Sequence, residues 1–200
     1  MNFVSYYWQR KSFMVRGMMY SKYFRMEENK QFIAKAIPKL AKLFDKHKID
    51  YCLIGGASLP EYNLNRATDD VDFLIYSSDD IEKLLTEIGF EPAFKGASRK
   101  FIWKPDKVIV EFLFTGEETG GTGGVRFEKP KEISKKKDGI KIITLEKLIE
   151  YKLSSGIYGF KRLKDLSDVQ QLIELNNLPE DFADSFRKDL KDKYRELWKG

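Results

Sequence analysis

Histidine and cysteine are nearly missing from this chain of 200 residues, which carries only His47 and Cys52. A disulfide framework, a zinc cluster and a Cys–His or Ser–His nucleophile pair therefore lack the residues they need. Any chemistry falls to carboxylates. Long apolar runs are missing too. Nothing approaches the roughly 18 consecutive apolar residues of a membrane span, and the first 26 residues hold no core of signal-peptide length. The expectation is a cytoplasmic protein with no membrane partner.

Acids are absent from residues 1–26, where Arg10, Lys11, Arg16, Lys22 and Arg25 account for the whole net charge of +5. The other 31 bases are matched by 31 acids, so the folded part is neutral overall. A basic chain usually suggests a polyanionic partner, but here that signal belongs to the leader. The leader's interleaved Arg and aromatic residues can serve as a nucleic-acid arm or as a loosely docked extension, and Met14, Met18, Met19 and Met26 are alternative starts. At 42% hydrophobic and 14% aromatic, the chain can bury one sizeable core.

Apolar periodicity predicts a helix from Glu27 to Lys48, bent or divided at Pro38, then a buried strand ending at Gly55-Gly56. "ASLPEYNL" reads as a short helix, 70–76 as a strand and 77–89 as a helix with Gly89 as its cap. Strands at 99–104 and 107–114 form a hairpin across "PD". The run "TGEETGGTGG" (115–124) predicts a mobile loop separating two halves. Beyond it come a lysine-rich segment turning at Asp138-Gly139, a helix capped by Thr144, and helices near 163–176 and 179–198. This gives an α/β (α+β) chain with a leader at 1–26, a core at 27–125 and a hairpin with a helical part at 126–200.

The unusual features are carboxylates in apolar strands. In "DDVDFLI", residues i and i+2 share a face with Cα atoms roughly 7 Å apart, so Asp70 and Asp72 point together while Val71, Phe73 and Ile75 face the core. Such a pair either lies solvated or bonded to Arg66, or is held by divalent metal, which reverses the repulsion and suits phosphoryl transfer. Glu111 is the one charge in "VIVEFLF", where it serves as an ion-pair partner of a nearby lysine or as a third metal carboxylate able to accept a hydroxyl proton. Gly55 and Gly56 end a strand where a helix starts, with Ser58 close by; the segment is a plain tight turn or a phosphate cradle. Lys152 falls on the apolar stripe of Leu145, Leu148, Ile149 and Leu153 and must find an anion, either Asp168 or a bound triphosphate.

"GGAS", "RATDDVDF", "VIVEF", "TLEKLIEYKL" and "KDLSDV" together resemble the nucleotidyltransferase superfamily with the DNA polymerase β-like fold. The R-x-[ST]-x-D-x-D form is similar to the abortive-infection (AbiEii-type) nucleotidyltransferases of toxin–antitoxin pairs. The similarity covers roughly residues 30–175. It implies a mixed sheet flanked by helices, with a helical C-terminal part closing a nucleotide cleft. It further implies Mg²⁺-dependent transfer of an NMP from an NTP to an acceptor hydroxyl; the sequence leaves open an RNA such as tRNA, a partner protein or a small molecule as acceptor.

By the same resemblance Asp70, Asp72 and Glu111 hold two Mg²⁺ (or Mn²⁺) ions. Gly55, Gly56, Ser58, Arg66, Thr68, Lys152 and Lys164 contact the nucleotide, and Asp165 and Asp168 of the [KR]-D-x-x-D element support the lysines. Two departures stand out: an extra small residue before Ser58, and Asp69 beside the acid pair. A non-catalytic nucleotide- or RNA-binding module of the same fold is the alternative, and retention of all three acids argues against it.

Overall fold

The apolar runs of the sequence become strands β1 (Tyr51–Ile54), β2 (Val71–Ile75), β3 (Phe90–Pro92), β4 (Lys100–Trp103), β5 (Val108–Phe114), β6 (Ser134–Lys137) and β7 (Ile140–Ile143). They lie side by side in one sheet in the order β3-β4-β5-β2-β1-β7-β6. The β2–β5 and β1–β7 pairs are parallel and the others antiparallel, so the sheet is mixed. This computed structural model describes residues 32–76 and 81–200, so the basic leader and the expected helix start at 77–80 lie outside the described residues.

Among the described residues six α-helices cover the sheet: α1 (32–46), α2 (Ile81–Glu87), α3 (Pro130–Ile133), α4 (Leu145–Tyr158), α5 (Leu163–Leu175) and α6 (Lys188–Trp198). Strand alternation divides the core in two. On one face Val71, Phe73, Ile75, Val110 and Phe112 pack against Leu40 and Phe44 of α1 and Leu85 of α2. Phe44 makes edge contacts with Phe73 and Phe112, and each such side chain contributes about 1.5–3 kcal/mol on burial. On the opposite face Cys52, Ile54 and Leu74 pack against α4, α5 and α6 through Leu148, Leu153, Val169, Leu172 and Leu190. Asp72 and Glu111 share this second face with Leu74 and Leu113.

Several elements differ from the sequence reading. Helix α1 runs unbroken through Pro38, which is exposed. "GGASLPEY" is a 3₁₀ segment (Gly55–Tyr62), and the short edge strand β3 and helix α3, at three and four residues, are too short to show a repeating apolar pattern. The expected helix at 179–198 is a 3₁₀ turn (Glu180–Ala183) followed by α6, with the chain bending so that Phe182 packs on both Phe186 and Tyr194. Beyond the glycine-rich loop, β7 joins the same sheet by pairing with β1.

The glycine-rich loop is not the free linker that its composition suggests. It is seated on α4: Thr119 is buried and its hydroxyl donates to Ser154, which also accepts from the Val125 N–H at 2.9 Å. Glycine allows the fit. At Gly120 (φ +76°) a Cβ would come within 2.8 Å of the Ser155 Cα and 2.9 Å of the Gly159 nitrogen. Gly120→Ala is therefore expected to cost about 1–3 kcal/mol in thermal unfolding and to open 115–125 to limited proteolysis. Unchanged melting and cleavage would show a loop that floats free of α4.

Candidate active site

The parallel register of β2 and β5 sets Asp72 directly opposite Glu111, and Asp70 enters from the bend just before β2. One oxygen from each of the three half-buried carboxylates lies within 4.8 Å of the others. Thr68 orients Asp70, with its hydroxyl donating to the Asp70 carbonyl at 3.1 Å and reaching the carboxylate at 3.4 Å. Burial pushes Asp72 up to about 7, with the charges of Asp70 and Glu111 adding to it; a bond from the Gly56 N–H and the charge of Lys152 pull the other way. Gly55 makes room for this carboxylate. Its φ is +64°, and a Cβ there would fall 1.8 Å from Asp72 Oδ2.

A lysine that sequence reasoning missed shares the cluster. Lys100, on β4 opposite Glu111, donates from Nζ to Asp70 Oδ2 at 3.0 Å. Only the strand register could have revealed it, since 30 residues separate the pair. The donor set is all oxygen, hard and anionic, and it fits a hard divalent cation such as Mg²⁺ or Mn²⁺ while offering no nitrogen or sulfur ligand to softer metals.

Facing the acids is a second charged group, built on α4 and α5. Lys152 is buried and bonds Asp165 at 3.0 Å and Asp168 at 2.7 Å, so the apolar stripe's lysine has two anions rather than one. Arg66 pairs with Asp168 at 3.1 Å, not with the acid pair, and Arg162 Nε bonds Asp165 at 2.7 Å. Burial raises Asp165, but Lys152, Arg162 and the Ser155 hydroxyl outweigh it and hold the carboxyl below its ordinary range. Three cations against two anions leave this network with one surplus positive charge.

Between the two groups runs a cleft of about 630 Å³. Gly55, Gly56, Thr68 and the three acids line it together with Arg66, Lys152, Lys164 and Asp165. Arg99, bonded to Glu117 at 2.6 Å, and Arg162 also line it; single arginines in polar segments give no periodic signal. Ser58 lies outside the wall: it is buried, and its hydroxyl donates to the Gly55 carbonyl at 2.9 Å. Asp168 also stands behind the wall. The lysine-rich hairpin is not a free basic surface, because Lys135 and Lys137 pair with Glu61 and Lys141 lies near Asp45 and Asp50.

Asp72 titrates near 7 in the fold against 3.8 unperturbed, so its protonation supports the metal-free protein at low pH, and that support is lost as pH rises through about 7. Asp72→Asn keeps an oxygen for the Gly56 N–H and removes the charge. In EDTA it is expected to raise the melting temperature by a few degrees at pH 8 and by little at pH 5. A lowered melting temperature at pH 8 would contradict the repulsion described here.

No protein-family model and no curated protein sequence matches the chain. Among solved structures it is similar to an antigenic nucleotidyltransferase-like protein from Paracoccidioides brasiliensis, with TM-score 0.57 and 17% identity over 86% of this chain and 89% of that one. A candidate nucleotidyltransferase from H. pylori (TM-score 0.47, 16% identity, 87% and 92% covered) and JHP933 from Helicobacter pylori (0.42, 16%, 88% and 88%) are more distant. The first likeness shows that the mixed sheet and its helices form a nucleotidyltransferase-like fold.

Proposed function

We propose that the protein is a metal-dependent nucleotidyltransferase, moving an NMP from an NTP to an acceptor hydroxyl on RNA or protein, within a toxin–antitoxin pair of the AbiEii type. The observation that carries this reading is the pairing of three convergent carboxylates with a cationic wall across one cleft. Asp70, Asp72 and Glu111 hold the divalent ions, two Mg²⁺ or Mn²⁺. When bound, these ions supply charge neutralisation at the reacting phosphate.

The remaining work falls to the chain. Lys152, Lys164 and Arg66 take the phosphates, with Lys152 held in place by Asp165 and Asp168. Gly55 and Gly56 keep side chains away from the acid end of the cleft. The acceptor oxygen forms its bond to the α-phosphorus as the bond to pyrophosphate breaks, and Glu111 takes the hydroxyl proton. Thr68 and Lys100 fix the direction of Asp70.

Incubation with each α-labelled NTP, Mg²⁺ and total RNA or protein is expected to leave label on an acceptor and to release pyrophosphate. Asp70→Asn should reduce this by about 100-fold or more with little change in melting temperature. Bound NTP with no transfer to either acceptor class would instead favour a non-catalytic module of the same fold.

A further inference from the structure

The cleft has an apolar edge that the phosphate chemistry does not use. In the turn between α4 and α5, "YGFKRLKD", Phe160 lines the cleft yet is 85% exposed, and Leu163 three residues on is 77% exposed. Burying a phenylalanine contributes about 1.5–3 kcal/mol, which the chain forgoes here beside the cleft. The turn is closely built. A Cβ on Gly159 would lie 2.4 Å from the Ser155 carbonyl and 2.5 Å from Arg162 Cγ, so glycine is required where the chain swings Phe160 outward.

Three cations follow the ring in sequence. Lys161 Nζ stands 5.1 Å from its centroid. Arg162 commits only Nε to Asp165 and Ser155, and its two terminal nitrogens bond nothing among the described residues. Lys164 lines the cleft with no ion pair among the described residues. The turn and the first residues of α5 thus present an open aromatic face, a fixed guanidinium and an ammonium with no ion pair among the described residues. That set matches a nucleotide, whose base has a flat π-face and whose phosphates are anionic.

We infer that Phe160 is the stacking platform for the base of the donor nucleotide, with Arg162 and Lys164 receiving its phosphates. This rests on the nucleotidyltransferase reading and adds a residue that sets nucleotide affinity. The ring offers a face and no hydrogen bond, so it holds any of the four bases; preference among them lies elsewhere in the cleft.

Titration calorimetry with the α,β-methylene analogues of the four NTPs, and with inorganic tripolyphosphate as a base-free probe, tests it on the full chain. Phe160→Ala should weaken binding of the analogues by about 5- to 100-fold and leave tripolyphosphate unchanged, and Phe160→Trp should restore the analogues. Equal weakening of both probes, or none, overturns the proposal. So does loss of binding confined to a five-nucleotide oligoribonucleotide, which would assign the ring to an acceptor base. Because binding is measured apart from transfer, tight Phe160-dependent binding without turnover would remove the enzymatic reading and leave this one standing. Transfer with an unchanged KM in Phe160→Ala would do the reverse.

Discussion

Three carboxylates held within 4.8 Å of one another repel, and much of the surrounding architecture answers that repulsion. The parallel β2–β5 register fixes Asp72 against Glu111, and a shift of one residue would turn both toward the α1 side of the sheet. Gly55 gives the Asp72 carboxylate the volume of a missing side chain. Lys100 supplies one positive charge from the next strand. With all three acids ionised the cluster still carries two net negative charges, a deficit suited to divalent cations.

The helical layer is organised by the opposite problem, cations in an apolar setting. Lys152 lies between Asp165 and Asp168, and those acids also bind Arg162 and Arg66, so α4, α5 and the segment before β2 are joined by one ion network. Removing one partner from such a buried network leaves charges uncompensated, at about 3–5 kcal/mol. The same contacts fix Arg66, Lys152 and Arg162, which all line the cleft. Stability and site geometry therefore share residues here, and the glycine loop seated on Ser154 and Ser155 completes that wall.

Much of this was legible in the sequence wherever a residue violated its pattern. Glu111 in an apolar strand, Lys152 on an apolar stripe and two aspartates opening a strand each demanded a partner, and the fold supplies them within one cleft. Partners set by pairing between distant segments were not legible: Lys100 reaches Asp70 only through the β4–β5–β2 register, and Arg66 is drawn to Asp168 rather than to its near neighbours in sequence. Composition misled at 115–124, where glycines serve close approach to α4 rather than freedom. Ser58, a nucleotide contact by the family resemblance, donates its hydroxyl to the carbonyl of its own turn.

The central claim is that the acid cluster is a divalent-cation site facing a phosphate-binding wall. Anomalous diffraction from crystals soaked in millimolar Mn²⁺ tests it most directly. The account predicts a peak within coordination distance of Asp70, Asp72 and Glu111 together, with the Lys100 ammonium moved off Asp70. A map with no peak there, and Lys100 still bonded to Asp70, would contradict it.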